Sequence, residues 1–117
     1  MATNKLPTET WEQIKFVEWF KKTYPDVIII YIHNGGTRSL IERVQQRCLG
    51  LHPGTSDLFV PEFKLWIEMK RTKLSRVSDE QKVFMKDMHK IGYQYIIGYG
   101  WEDAKSQVLE MQLGEIK

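Results

Sequence analysis

Asp57-Leu58-Phe59-Val60-Pro61-Glu62-Phe63-Lys64-Leu65-Trp66-Ile67-Glu68-Met69-Lys70 is the stretch on which the fold turns. Leu58 to Val60 and Lys64 to Lys70 read as two strands around Pro61-Glu62-Phe63, because apolar and aromatic residues suit a pleated, half-buried surface. With the turn on Glu62 and Phe63, Val60 pairs with Leu65, Phe59 with Trp66, Leu58 with Ile67, and Asp57 with Glu68. Directly opposed residues have Cβ atoms roughly 4.5–5.5 Å apart, so two carboxylates meet on one face. Such a pair repels itself unless something compensates, and a hard divalent cation such as Mg²⁺ or Mn²⁺ does so through oxygen ligands. Alternation puts Leu65, Ile67 and Met69 on a core face and Trp66, Glu68 and Lys70 on the other, beside Asp57. A surface hairpin with a charged outer face would show the same spacing, so Asp-x(10)-Glu-x-Lys is a weak signal by itself.

Outward from the hairpin, the chain alternates between helical and strand periodicity. Thr10 with Gln13 reads as a capping box, and Trp11, Ile14, Val17 and Phe20 predict an amphipathic helix over about residues 8–23. Val27 to Ile32 predicts a buried strand, followed by a turn at His33-Asn34-Gly35-Gly36. Leu40, Ile41 and Val44 predict a short helix over 38–48, before the breaker-rich loop Gly50-Leu51-His52-Pro53-Gly54-Thr55-Ser56. Ser78, with Gln81 three residues on, opens a helix whose buried stripe is Phe84, Met88 and Ile91, stopped by Gly92. Tyr93 to Tyr99 predicts a strand, and about Glu102 to Met111 a last helix with Ala104, Val108 and Met111 on one side. The order αβαββαβα predicts an α/β fold: a mixed central sheet flanked by helices, antiparallel in the middle and parallel at one side.

A chain of 117 residues suits one domain over its whole length, with residues 1–7 loose. Cys48 is the single cysteine, so no internal disulfide forms. The net charge of +2 is mild, but Arg38, Arg43, Arg47, Lys64, Lys70, Arg71, Lys73 and Arg76 gather in the middle third. Either ordinary solvated faces or a nucleic-acid surface accounts for that. No apolar run approaches the ~20 residues of a membrane helix, and no secretory signal is visible, so a cytoplasmic location is expected. His33, His52, His89 and Cys48 match no zinc spacing.

Gly50 to Leu58, Ile67-Glu68-Met69-Lys70, Ser78-Asp79-Glu80-Gln81 and Ile91-Gly92-Tyr93 together resemble the VRR-NUC domain, a branch of the PD-(D/E)XK nuclease superfamily with a restriction-endonuclease-like sheet. Four blocks in the right order, over about residues 10–100, are more specific than any one of them. Ser56 stands where the superfamily pattern has proline. The resemblance implies that Asp57, Glu68 and the backbone carbonyl of Met69 ligate Mg²⁺ or Mn²⁺, and that Lys70 is the catalytic lysine. Gln81 matches a glutamine by the active site, although its capping role needs no catalysis. Glu12 matches a helix acid that can reach the metal, or is simply a solvated helix position.

Stand-alone members of the family resemble structure-selective nucleases of phage and bacteria, including Holliday-junction resolvases. The resemblance therefore implies DNA as substrate, branched DNA above all, and a homodimer whose two sites match a four-way junction. A nucleic-acid-binding module that has lost catalysis is the alternative, and intact Asp57, Glu68 and Lys70 argue against it. An RNA-directed enzyme stays open. Asn34, Arg38, Arg43, Arg47, Lys73 and Arg76 are candidates for tracking a phosphate backbone. Trp66, sharing a face with Glu68, is a candidate for stacking on a base.

Overall fold

A computed structural model describes residues 7–33 and 39–111. The expected loose N-terminus falls almost wholly outside the described residues, as do the candidates Asn34 and Arg38. The elements are α1 (Glu9–Thr23), β1 (Ile30–Tyr31), α2 (Leu40–Cys48), β2 (Leu58–Val60), β3 (Leu65–Lys70), α3 (Asp79–Lys90), β4 (Gln94–Tyr99) and α4 (Trp101–Glu110), with a 3₁₀ turn at Pro61–Phe63. The sheet order is β1-β2-β3-β4. Both β1–β2 and β2–β3 are antiparallel, and β3–β4 is parallel, as the order of elements predicts.

The hairpin has the expected register: Leu58 faces Ile67, Phe59 faces Trp66, and Val60 faces Leu65. Pro61 starts the 3₁₀ turn, and Lys64 closes it in the left-handed region with φ 49°. One face of the sheet carries Leu58, Val60, Leu65, Ile67 and Met69, all essentially inaccessible, beneath Phe16 and Phe20 of α1 and Ala104 and Val108 of α4. Each such large apolar side chain contributes about 1.5–3 kcal/mol on burial. Gly98 lets α4 sit directly on β4, since a Cβ there would lie 2.5 Å from that of Ala104. The opposite face carries an aromatic layer under α3. Phe59 stacks on Trp66 at 4.2 Å, and Phe84 meets Trp66 edge-on at 4.9 Å.

Several expectations are corrected. The cap of α1 is Thr8, whose hydroxyl accepts from the Trp11 N–H, and not Thr10. The buried stripe of α1 is Glu12, Phe16 and Phe20, while Trp11 and Ile14 are exposed, because the sheet meets the helix on its Phe side. The stretch 27–32 is an edge strand whose ladder residues are Ile30 and Tyr31, with Val27 and Ile29 turned inward and Ile28 and Ile30 outward. An edge strand covered on one face buries alternate residues only. Ile91 is exposed, since it is the C-cap of α3 just before Gly92 reverses the chain at φ 96°. Both α2 and its capping box at Ser39 and Glu42 form, but no residue of α2 is buried.

Candidate active site

The end of the hairpin that turns away from Pro61 brings the acids together. Antiparallel pairing carried one step past Leu58 sets Asp57 opposite Glu68. Asp57 is held there from both sides: its carbonyl accepts from the Ile32 N–H at 2.7 Å, and its Oδ2 accepts from the Met69 N–H at 2.9 Å. Glu68 is 3 % exposed. Its Oε2 accepts from Gln81 Nε2 at 2.9 Å and lies 3.8 Å from Lys70 Nζ. Its Oε1 is buried without a hydrogen-bond partner.

This is an expensive arrangement for two anions. Burial first and the nearby Asp57 charge second push the Glu68 carboxyl up to about 8, against the opposing pull of the Lys70 ammonium. Asp57 is raised chiefly by burial, against the Met69 N–H, which favours its charged form. The two carboxylates abut, so they need a shared proton or a cation between them. A hard cation fits this donor set: two carboxylate groups, one with an orphaned buried oxygen, satisfied at once by a divalent ion. Among the described residues no three His, Cys, Asp or Glu side chains form a closed metal cage. Mg²⁺ does not need one, since it keeps several waters and binds through one or two carboxylates.

Gln81 does both things the sequence offered as alternatives. Its Oε1 accepts from the Ser78 N–H at 2.9 Å, closing the capping box, and its Nε2 reaches Glu68. The cap therefore fixes the rotamer that delivers the amide to the site.

Glu12, the expected helix acid, is engaged with α4. Glu12 is buried, and its Oε1 accepts from the Trp101 N–H at 2.7 Å. It caps α4, whose own N-cap, Gly100, has no side chain to do so. Glu9, one turn earlier and exposed at the surface, senses the acids electrostatically: its carboxyl is raised by partial burial and by the Asp57 charge, and lowered by Lys70. Two further polar groups lie beneath the site. Ser56 Oγ and the Tyr95 hydroxyl are adjacent and buried, neither well hydrogen-bonded, and burial raises Tyr95 far above the usual phenol range. The long run of residues between Ser56 and Tyr95 hides this pairing from sequence spacing.

The remaining candidates are spread around the site. Trp66 is half-buried in the aromatic layer with its Nε1 enclosed; it stacks on Phe59 and meets Phe84 at right angles. Arg43 and Arg47 lie exposed on α2 beside the 51–55 loop. Lys73 and Arg76 are exposed on the segment from β3 to α3.

Gly54 locks the loop that carries Asp57 against α3. It has φ +80°, and a Cβ there would lie 2.2 Å from the Glu80 carbonyl oxygen. Gly54→Ala is expected to push the loop off α3 and cost about 1–3 kcal/mol. A thermal melt checks this, at about 4 °C per kcal/mol for a domain of this size. A melting temperature unchanged from wild type would show that the contact does not hold the loop.

A solved structure described as a VRR_NUC domain protein is similar to this chain, with a TM-score of 0.74 over 91% of this chain and 88% of that one, at 21% identity. The fold is that of a VRR-NUC domain, as the sequence resemblance implies. No family model and no curated protein matches the chain.

Proposed function

We propose that this chain is a Mg²⁺- or Mn²⁺-dependent nuclease that hydrolyses phosphodiester bonds in DNA, with branched or junction DNA as its substrate. One observation carries the reading: Asp57, Glu68, Lys70 and Gln81 converge on one point, around a buried carboxylate oxygen with no partner. Asp57 and Glu68, with the Met69 carbonyl, would hold the cation. When bound, such a cation acidifies water and neutralises charge on the phosphate. Gln81 orients Glu68 by its hydrogen bond. Lys70, an ammonium at the edge of the carboxylate pair, positions the attacking water or meets the charge that develops on phosphate oxygen.

The junction reading calls for two sites in a symmetric pair. A second copy has two features to use: the apolar side of α2, where Leu40 and Ile41 are 70 % and 72 % exposed, and the open edge of β1. No helix among the described residues is long and apolar enough to cross a membrane.

The test is cleavage of labelled linear duplex, single strand, flap and four-way junction, with and without Mn²⁺. Cutting that needs Mn²⁺ and favours branched substrates is the expected result. Equal cutting of all would remove the branch preference, and no cutting of any would remove the nuclease.

A further inference from the structure

A cleft of about 290 Å³ opens between α2, the 51–55 loop and the start of α3. Its walls differ in chemistry. Arg43 and Arg47 supply two guanidiniums from successive turns of α2, while Leu51, His52 and Pro53 supply an apolar and aromatic floor. The His52 ring is fixed on both sides. Its Nδ1 bonds the Pro53 carbonyl at 3.0 Å, and its ring meets the edge of Phe84 at 5.7 Å. A carbonyl only accepts, so Nδ1 carries the proton and Nε2 is left as an acceptor. Gln81 lines the same cleft and also holds Glu68, so cleft and carboxylate pair share a wall.

We propose that this cleft binds one unpaired nucleotide of the substrate strand, next to the bond that is cut; this rests on the nuclease reading above. The division of chemistry matches that of a nucleotide. Guanidiniums suit a phosphate by geometry as well as charge, and a flat floor of ring and aliphatic groups suits a base. The volume sits at the low end of small-ligand pockets, roughly 300 Å³, which is room for one nucleotide and not for a duplex. Among the described residues Arg47 pairs with Glu80, at 3.8 Å, with both side chains about 60 % exposed. An ion pair that exposed is weak and gives way to a phosphate. A base can enter only when it is not paired, so the cleft selects strands with an unpaired nucleotide beside the scissile phosphate. Branch points and flaps offer that, and continuous duplex does not.

The test is an amide NMR titration of the metal-free full chain with thymidine 5′-monophosphate, and separately with inorganic phosphate. Leaving out the cation separates binding in the cleft from any phosphate that a cation at the carboxylate pair would draw. The expected result is shifts at His52, Thr55 and Gln81, with inorganic phosphate bound at least about fivefold more weakly because it lacks the base. The double variant Arg43→Ala/Arg47→Ala is expected to weaken the nucleotide about tenfold. Shifts outside the cleft only, or phosphate bound as well as the nucleotide, would overturn the proposal. Failure here is separable from failure of the nuclease. A chain that cuts DNA with Mn²⁺ but gives no shift in the cleft loses the subsite alone. A chain that shifts but never cuts loses the nuclease.

Discussion

Lys70→Ala is expected to lower the rate of Mn²⁺-dependent cleavage by about 10²–10³-fold while the protein stays folded, the usual loss when one group aimed at transition-state charge is removed. The position explains the size. Lys70 lies on the same strand and face as Glu68, and its Nζ stands 3.8 Å from the carboxylate oxygen that Gln81 also holds. It is thus rigidly aimed at the point where the two acids meet. Folding survives because its neighbours relax cheaply: without the ammonium, Glu68 is neutralised by a proton, in a site whose burial already favours that form. Single-turnover cleavage of a branched substrate measures the rate, and circular dichroism measures the fold. Lys70→Arg is a sharper control. It keeps the charge but replaces a compact ammonium with a planar fork, and little activity is expected to return. A Lys70→Ala protein that cuts within tenfold of wild type would remove the lysine from the chemistry.

The parts of this site legible in the sequence are those fixed by local geometry. The period-two pattern of Leu65 to Lys70 and the Pro61-Glu62-Phe63 turn leave one sensible register, and that register alone opposes Asp57 to Glu68. Gln81 was legible as a cap because a capping box spans only three residues. What stayed hidden depends on which way an element faces. Both sides of α1 carry large apolar groups, Trp11 and Ile14 on one and Phe16 and Phe20 on the other, and only docking on the sheet selects between them. That choice sends Glu12 to the N-terminus of α4. No local rule foretells a bond between Glu12 and Trp101. Trp66 shows the same limit: alternation gave its face correctly, but not that α3 brings Phe84 against it at right angles. The edge position of β1 was invisible too, since a β-branched run reads alike in a central and an outer strand.

Glu68→Gln is expected to make the metal-free protein more stable at alkaline pH and to abolish both metal binding and cleavage. The carboxyl is pushed from an ordinary 4.5 up to about 8, by burial first and by Asp57 second. A group raised on folding contributes its stability in full below its unfolded value, and that contribution fades as pH climbs through the folded value. Metal-free wild type should therefore lose stability between pH 6 and pH 9, by about 1–3 kcal/mol once coupling to Asp57 is allowed for. Glutamine has the same shape and keeps an oxygen for the Gln81 amide, but carries no charge to bury. Its melting temperature should be nearly flat over that range and should exceed that of wild type at pH 9 by several degrees. Mn²⁺ should invert the order. Wild type gains about 2.7 kcal/mol when the ion is at a hundred times its dissociation constant, whereas the variant gains nothing. Melting curves of both proteins at pH 6 and pH 9, with and without Mn²⁺, test this crossing. A variant less stable than wild type at pH 9 without metal would mean that Glu68 is ordinary structural glue. A wild type indifferent to Mn²⁺ would mean that the two acids were not gathered to hold a cation, because the cost of placing them side by side in the interior would then be offset by nothing.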